Sequence, residues 1–137
     1  MMHITESQKH EIAELAKKYG LFLVVLFGSQ ATGKTHTGSD VDIGVIAGND
    51  FDYKQAHALE EKLASLFKRL DIEVVNLRQV SPLLLKRVAG NGKLLYENRP
   101  GQFIRLKVRA VRAYADTAPL RSLEGPRIEL FLQKHGG

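Results

Sequence analysis

The spacing of apolar residues changes several times along the chain, and each spacing predicts an element. Apolar residues three or four apart predict a first helix over about 6–19 and a second from the turn at 48–52 to about 69. Short apolar or alternating runs predict strands between the helices. These runs are residues 21–27, 40–47, 71–77 and the LLYE segment. Two more helices are predicted, from Ser81-Pro82 to about Ala89 and from Pro100 to about Ala115.

This order of elements, α, β, β, α, β, α, β, α, predicts an α/β (α+β) fold. A small mixed sheet of about four strands would have helices packed against it. At 137 residues the chain suits one domain over 1–137, with its core at about 20–115. Two prolines interrupt the tail, residues 116–137, which holds one candidate helix near 127–134.

Composition excludes several classes of protein. The chain has no cysteine, so disulfides, thiolate metal sites and thiol nucleophiles are excluded. No apolar run approaches the roughly 20 residues that span a bilayer, and the N-terminus lacks the apolar core of a signal peptide. We therefore expect a cytoplasmic protein without a membrane partner.

The net charge of +5 is unevenly distributed. Residues 1–77 carry 8 basic and 11 acidic side chains, whereas residues 78–137 carry 12 and 4. A basic second half could bind nucleic acid, an acidic partner or a polyphosphate, or could simply be solvated. Nucleic-acid binding is not favoured, because no binding module is evident. Arg105, Arg109 and Arg112 recur at helical spacing and form either a partner-facing strip or a solvated face.

Between Leu26 and Val45 the sequence LFGSQATGKTHTGSDVDIGV fits two phosphate-handling motifs. The segment GSQATGKT satisfies the P-loop pattern, which requires a helix directly after its Lys-Thr. The next residues form a turn-rich cluster without an apolar period, and a β-branched strand follows it. The segment therefore predicts two strands joined by a loop rather than a P-loop. The competing motif is Gly28-Ser29, a spacer of ten residues, and Asp40-x-Asp42 on the second strand, which suggests a nucleotidyltransferase.

Two carboxylates at positions i and i+2 of a strand project from the same face. Asp40 and Asp42 would repel each other unless a cation lay between them, and hard oxygen ligands suit Mg²⁺. A third carboxylate from a neighbouring strand would complete a two-metal site. The third strand offers Asp71 and Glu73, and their spacing alone leaves the choice open.

The Gly28-Ser29 turn is the candidate nucleotide-binding half of the site. A glycine lets backbone N–H groups approach a phosphate, and the serine hydroxyl adds a hydrogen bond. Lys34, in the loop that follows, is a candidate contact for the triphosphate, although loop lysines are more often solvated.

The segment GSQATGKTHTGSDVDIGV resembles the signature of the minimal nucleotidyltransferases (MNT), small members of the DNA polymerase β-like superfamily. The resemblance extends through IEVVNL, PLLLKRVAGNGKLLYE and the following helix, covering about residues 20–115. Aligning IEVVNL with the family's usual strand puts its third acidic residue at Glu73, where aspartate is commoner. Thr32 also departs from the pattern, since many relatives carry arginine in that loop.

The resemblance implies a function as well as a fold. By its resemblance to the family's best-understood members, the chain would be an antitoxin that transfers AMP from ATP to a hydroxyl, typically a tyrosine, of a HEPN ribonuclease toxin. The resemblance also implies Asp40, Asp42 and Glu73 as catalytic and Mg²⁺-binding residues, Gly28 and Ser29 as nucleotide-binding residues, and an assembly with the toxin or with further copies. One alternative is a binding module that neutralises its partner by complex formation alone. Another is nucleotidyl transfer to a small molecule, which would normally need a further domain.

Overall fold

The computed structural model describes residues 3–28 and 41–117. Within these ranges four helices and four strands follow one another in the predicted order. They are α1 (Glu6–Lys18), β1 (Leu21–Phe27), β2 (Val41–Ala47), α2 (Tyr53–Phe67), β3 (Ile72–Asn76), α3 (Pro82–Asn91), β4 (Lys93–Glu97) and α4 (Gln102–Ala115). The candidate helix near 127–134 lies outside the described residues. None of the described helices has both the length and the apolar character that crossing a membrane requires.

Helices α1 and α2 each begin at a capping box. The Thr5 hydroxyl accepts a hydrogen bond from the Gln8 backbone N–H, and the Gln8 side chain accepts one from the backbone N–H of Thr5. Asp52 and Gln55 form the same reciprocal capping box before α2. Helix α2 ends at Phe67, slightly earlier than predicted, because the backbone of Lys68 is left-handed with φ 54°.

The four strands form one mixed sheet in the order β3-β2-β1-β4. Strand β1 is antiparallel to both of its neighbours, whereas β2 and β3 are parallel. Parallel strands need a crossover connection, and α2 supplies it between β2 and β3. The predicted small mixed sheet with packed helices is confirmed.

Both faces of the sheet are covered. One core lies between the sheet and helices α1 and α2, and it receives Val41, Ile43 and Val45 from β2. The other core lies between the sheet and helices α3 and α4. Because side chains alternate along a strand, the remaining β2 residues, Asp42 and Ile46 among them, project toward the α3/α4 side. Burial on both faces explains why β1 is apolar throughout.

Candidate active site

The end of β1 brings Gly28 against the side chain of Asp42. Phe27 and Asp42 are paired in the β1–β2 register, and Gly28 follows with φ +81°. A Cβ atom on Gly28 would lie 2.5 Å from Asp42 Oδ2 and 3.4 Å from its Cγ. A side chain at this position would therefore displace the carboxylate. Glycine is needed both for the left-handed backbone and for the close approach of Asp42.

Asp42 and Glu73 lie opposite each other on the parallel strands β2 and β3. Neighbouring strands are about 4.8 Å apart, and paired residues project to the same side of the sheet. Asp42 is half-buried near the start of β2, and Glu73 is exposed near the start of β3. Two acidic side chains that lie far apart in the sequence, at positions 42 and 73, are thus adjacent at one end of the sheet.

Asp71, the other acidic residue considered for this site, is engaged elsewhere. It precedes β3, and its carboxylate accepts two hydrogen bonds from Arg69, of 2.8 Å from Nε and 2.7 Å from Nη2. These bonds hold the pKa of the Asp71 carboxyl below its usual value. The backbone carbonyl of Asp71 accepts a 2.8 Å hydrogen bond from Val41 N–H, which aligns the starts of β2 and β3. The register therefore favours Glu73 over Asp71 as the third carboxylate.

The Arg69–Asp71 pair was not predicted from the sequence. Its signal was weak, since two opposite charges at i and i+2 meet only if the turn between them brings the side chains together. Within the described ranges it is the one ion pair formed by an arginine. Its effect on the site is indirect, because it holds the segment that leads into Glu73.

Ser29, Lys34 and Asp40 lie outside the described residues, as do all the residues from 29 to 40. Asp40 directly precedes β2, two positions before Asp42. The structure therefore positions Gly28, Asp42 and Glu73 of the five predicted site residues, and it brings all three to one end of the sheet.

The chemistry of Asp42 and Glu73 fits a divalent cation. Both side chains offer carboxylate oxygens, which are the donors that Mg²⁺ prefers, and two adjacent negative charges favour a cation between them. Over residues 3–28 and 41–117 no group of three or more His, Cys, Asp and Glu side chains is arranged to hold a metal ion. Asp42 and Glu73 lie in those ranges, whereas the third predicted ligand, Asp40, lies outside them.

A mixed sheet that places a Gly turn against an acidic strand start, with a second acidic residue opposite, agrees with the nucleotidyltransferase motif predicted from the sequence. The family model described as "Polymerase beta, Nucleotidyltransferase" matches residues 10–100. The chain belongs to this family, and the predicted polymerase β-like core and enzyme class are confirmed.

Two curated relatives are each named "Protein adenylyltransferase MntA". The one from Shewanella oneidensis is 40% identical over 76 residues, which cover 56% of this chain and 54% of the relative. The one from Aphanizomenon flos-aquae is 30% identical over 142 residues, which cover 97% of this chain and 95% of the relative. The chain thus matches about half the length of the first relative and nearly all of the second.

Solved structures show the same fold. A crystal structure of a toxin–antitoxin with AMP-PNP contains a chain that is 30% identical, with a TM-score of 0.70 over 83% of this chain and 93% of that one. A structure of a tri-AMPylated Shewanella oneidensis HEPN toxin in complex with MNT antitoxin contains a chain that is 27% identical. Its TM-score is 0.66, over 83% of this chain and 90% of that one. These similarities confirm the predicted resemblance to antitoxin-type minimal nucleotidyltransferases.

Proposed function

We propose that this chain is an antitoxin-type protein adenylyltransferase that transfers AMP from ATP to a hydroxyl of a HEPN-type toxin. The observation that carries the proposal is the placement of Asp42 between Gly28 and Glu73 at one end of the sheet. The names of the relatives give the reaction, and the structures with AMP-PNP and with an AMPylated HEPN toxin give the donor and the partner. The working assembly is a hetero-oligomer with the toxin.

In this reaction a hydroxyl oxygen of the acceptor attacks the α-phosphorus of ATP. The bond from the α-phosphorus to the bridging oxygen breaks, and pyrophosphate leaves. The acceptor's proton passes to a carboxylate, for which Glu73 is positioned because it is exposed and lies beside Asp42. The acceptor is a protein hydroxyl, and a tyrosine is our specific proposal.

Asp40, Asp42 and Glu73 would hold Mg²⁺, in a two-metal arrangement. When bound, Mg²⁺ neutralises the charge of the triphosphate and makes the acceptor hydroxyl easier to deprotonate. Asp42 is already oriented for this role, since Gly28 packs against its carboxylate on one side and Glu73 flanks it on the other. The repulsion between these carboxylates is what a divalent cation would relieve.

Gly28 and Ser29 would bind the triphosphate. The left-handed backbone of Gly28 leaves no side chain between the end of β1 and the nucleotide, so backbone N–H groups can approach a phosphate oxygen. The serine hydroxyl is the expected second donor. A reaction that consumes ATP, in a chain without cysteine, suits the cytoplasm.

The test uses the chain, the HEPN-type partner, α-labelled ATP and Mg²⁺. We expect label on the partner and restored growth of cells that express the toxin. Asp42→Asn should reduce labelling by about 100-fold or more while the two proteins still co-purify, and chelation of Mg²⁺ should abolish labelling. Equal labelling by the parent and Asp42→Asn would rule out the mechanism. Full inhibition of the toxin without any labelling would establish the binding module instead.

A further inference from the structure

Four arginines surround a cavity at the end of the sheet away from Asp42. The cavity has a volume of about 230 Å³, and its lining includes the side chains of Arg78, Arg99, Arg105 and Arg109 but no acidic residue. It lies beside Ile46, which is four positions beyond Asp42 on the same side of β2. At about 3.3 Å per strand residue, the two sites are about 13 Å apart along the strand.

Two of these arginines are anchored to the backbone. Arg78 donates from Nε and Nη2 to the carbonyl of Ala47, at 3.3 and 3.2 Å, and Arg109 Nη2 donates to the carbonyl of Leu77 at 2.6 Å. Each guanidinium has five N–H donors, so these bonds leave donors for another acceptor. The anchors fix both positive charges at the rim of the cavity, which reduces the entropy lost when an anion binds.

The lining of the cavity concentrates positive charge, and no acidic side chain contributes to that lining. Among the described residues, Arg69 is the one arginine that forms an ion pair. Neither Arg99 nor Arg105 therefore pairs with a carboxylate in this part of the chain. Four like charges around a small volume repel one another, and a bound anion would relieve that repulsion. Planar guanidinium groups match the oxygens of a phosphate with paired hydrogen bonds.

Most of the remaining lining is apolar. Phe22, Ile46 and Leu106 contribute to it, and Gln102 adds an amide. An aromatic ring and aliphatic side chains beside guanidinium groups suit a ligand with both a phosphate and a flat ring, because the ring can stack while the phosphate is paired. This combination favours a nucleotide over a bare inorganic ion.

We propose that the four-arginine cavity is a second nucleotide-phosphate site, separate from the donor site at Gly28 and Asp42. Its ligand is an adenosine phosphate, either free AMP or an AMP group already attached to the acceptor. The attached form rests on the proposed function, because it requires that the chain adenylylates its partner. In that form the cavity holds the product of one transfer while another ATP occupies the donor site.

The experiment compares the parent chain with Arg99→Gln plus Arg105→Gln. Neither residue belongs to the donor site, and both are exposed, so the fold should be kept. The matched control is Arg87→Gln, an exposed arginine on α3 that does not line the cavity. Binding of AMP and of inorganic phosphate is measured by calorimetry, and the number of AMP groups on the partner is measured by intact mass.

We expect the double variant to bind AMP at least tenfold more weakly than the parent and the control. A variant that adds the first AMP at the parent rate but fails to add later ones would identify the attached group as the ligand. Weaker AMP binding with an unchanged number of AMP groups on the partner would identify free AMP as the ligand. Equal AMP binding and equal numbers of attached AMP groups in all three proteins would overturn the proposal. If even the parent transfers no AMP, the proposed function fails, and the binding measurement still decides whether the cavity is a phosphate site.

Discussion

Asp42 and Glu73 face each other across the parallel pair β2–β3, one register step from the start of each strand. This relationship links two segments that helix α2 separates in the sequence. It gives Glu73 a definite neighbour, whereas the acidic residue two positions earlier is bonded to Arg69.

Glu73→Gln should reduce AMP transfer by about 100-fold or more, because an amide binds a divalent cation weakly and accepts no proton at neutral pH. Glu73→Asp should retain more activity, since the carboxylate is kept. The control is Glu61→Gln, an exposed residue of α2 whose carboxylate lies 3.2 Å from His57 Nε2. Initial rates with labelled ATP provide the measurement. A parent-like rate for Glu73→Gln would remove this residue from the site.

Gly28→Ala should lower the rate of AMP transfer by more than its loss of folding stability can explain. The left-handed backbone costs a non-glycine residue about 1–3 kcal/mol, and the new methyl group would also displace the Asp42 carboxylate. Two other glycines allow the cost of the left-handed backbone to be measured apart from the displacement of the Asp42 carboxylate. Gly101 has φ +98° but no atom within 4 Å of its added Cβ, and Gly90 has neither constraint.

Gly101→Ala should therefore be destabilised with activity kept, and Gly90→Ala, within α3, should be stabilised by about 0.5–1 kcal/mol. Urea unfolding and transfer rates are compared for all three variants. If Gly28→Ala and Gly101→Ala lost activity equally, backbone strain would explain the result and the contact with Asp42 would not matter.

Gly44→Ala should destabilise the fold by about 1–3 kcal/mol through overpacking. A Cβ at position 44 would lie 2.8 Å from Leu77 Cδ2, and Leu77 is completely buried. Leu77→Ala alone should cost about 2–5 kcal/mol because it leaves a cavity. The double variant should lose less than the sum, since the methyl group of one replaces part of the volume lost from the other. Additive losses in chemical unfolding would show that the two residues do not interact.

The Arg69–Asp71 pair should make stability depend on pH in the acid range. The hydrogen bonds from Arg69 lower the pKa of folded Asp71 below its unfolded value of about 3.9, so the folded state binds fewer protons. The stabilisation is therefore present above the unfolded pKa and is lost as the pH falls through the folded pKa. Asp71→Asn should be less stable than the parent at pH 7, and the difference should shrink toward pH 2.

Unfolding in urea at several pH values measures this difference, with Asp50→Asn, in the exposed turn after β2, as the control. A difference between the parent and Asp71→Asn that stayed constant from pH 7 to pH 2 would contradict the assigned cause.

The order and type of the elements could be predicted because their signals are local. The capping box of Thr5 and Gln8 and the Ser81-Pro82 helix start involve residues only a few positions apart, and the structure confirms both. The apolar run over 21–27 likewise predicted a strand covered on both faces. The Gly28 and Asp42 motif identified the family for the same reason, since the two residues lie close together in the sequence.

The sequence by itself therefore determined the elements, the mixed α/β class and the candidate nucleotide-binding turn. Only the tertiary structure decided the strand order β3-β2-β1-β4, the register that sets Glu73 beside Asp42, and the convergence of Arg78 and Arg99 on the two arginines of α4. Strand register depends on which apolar faces pack together across the whole sheet, and a shift of one residue reverses the side that every side chain faces. Contacts of that kind join residues far apart in the chain, so no local pattern encodes them.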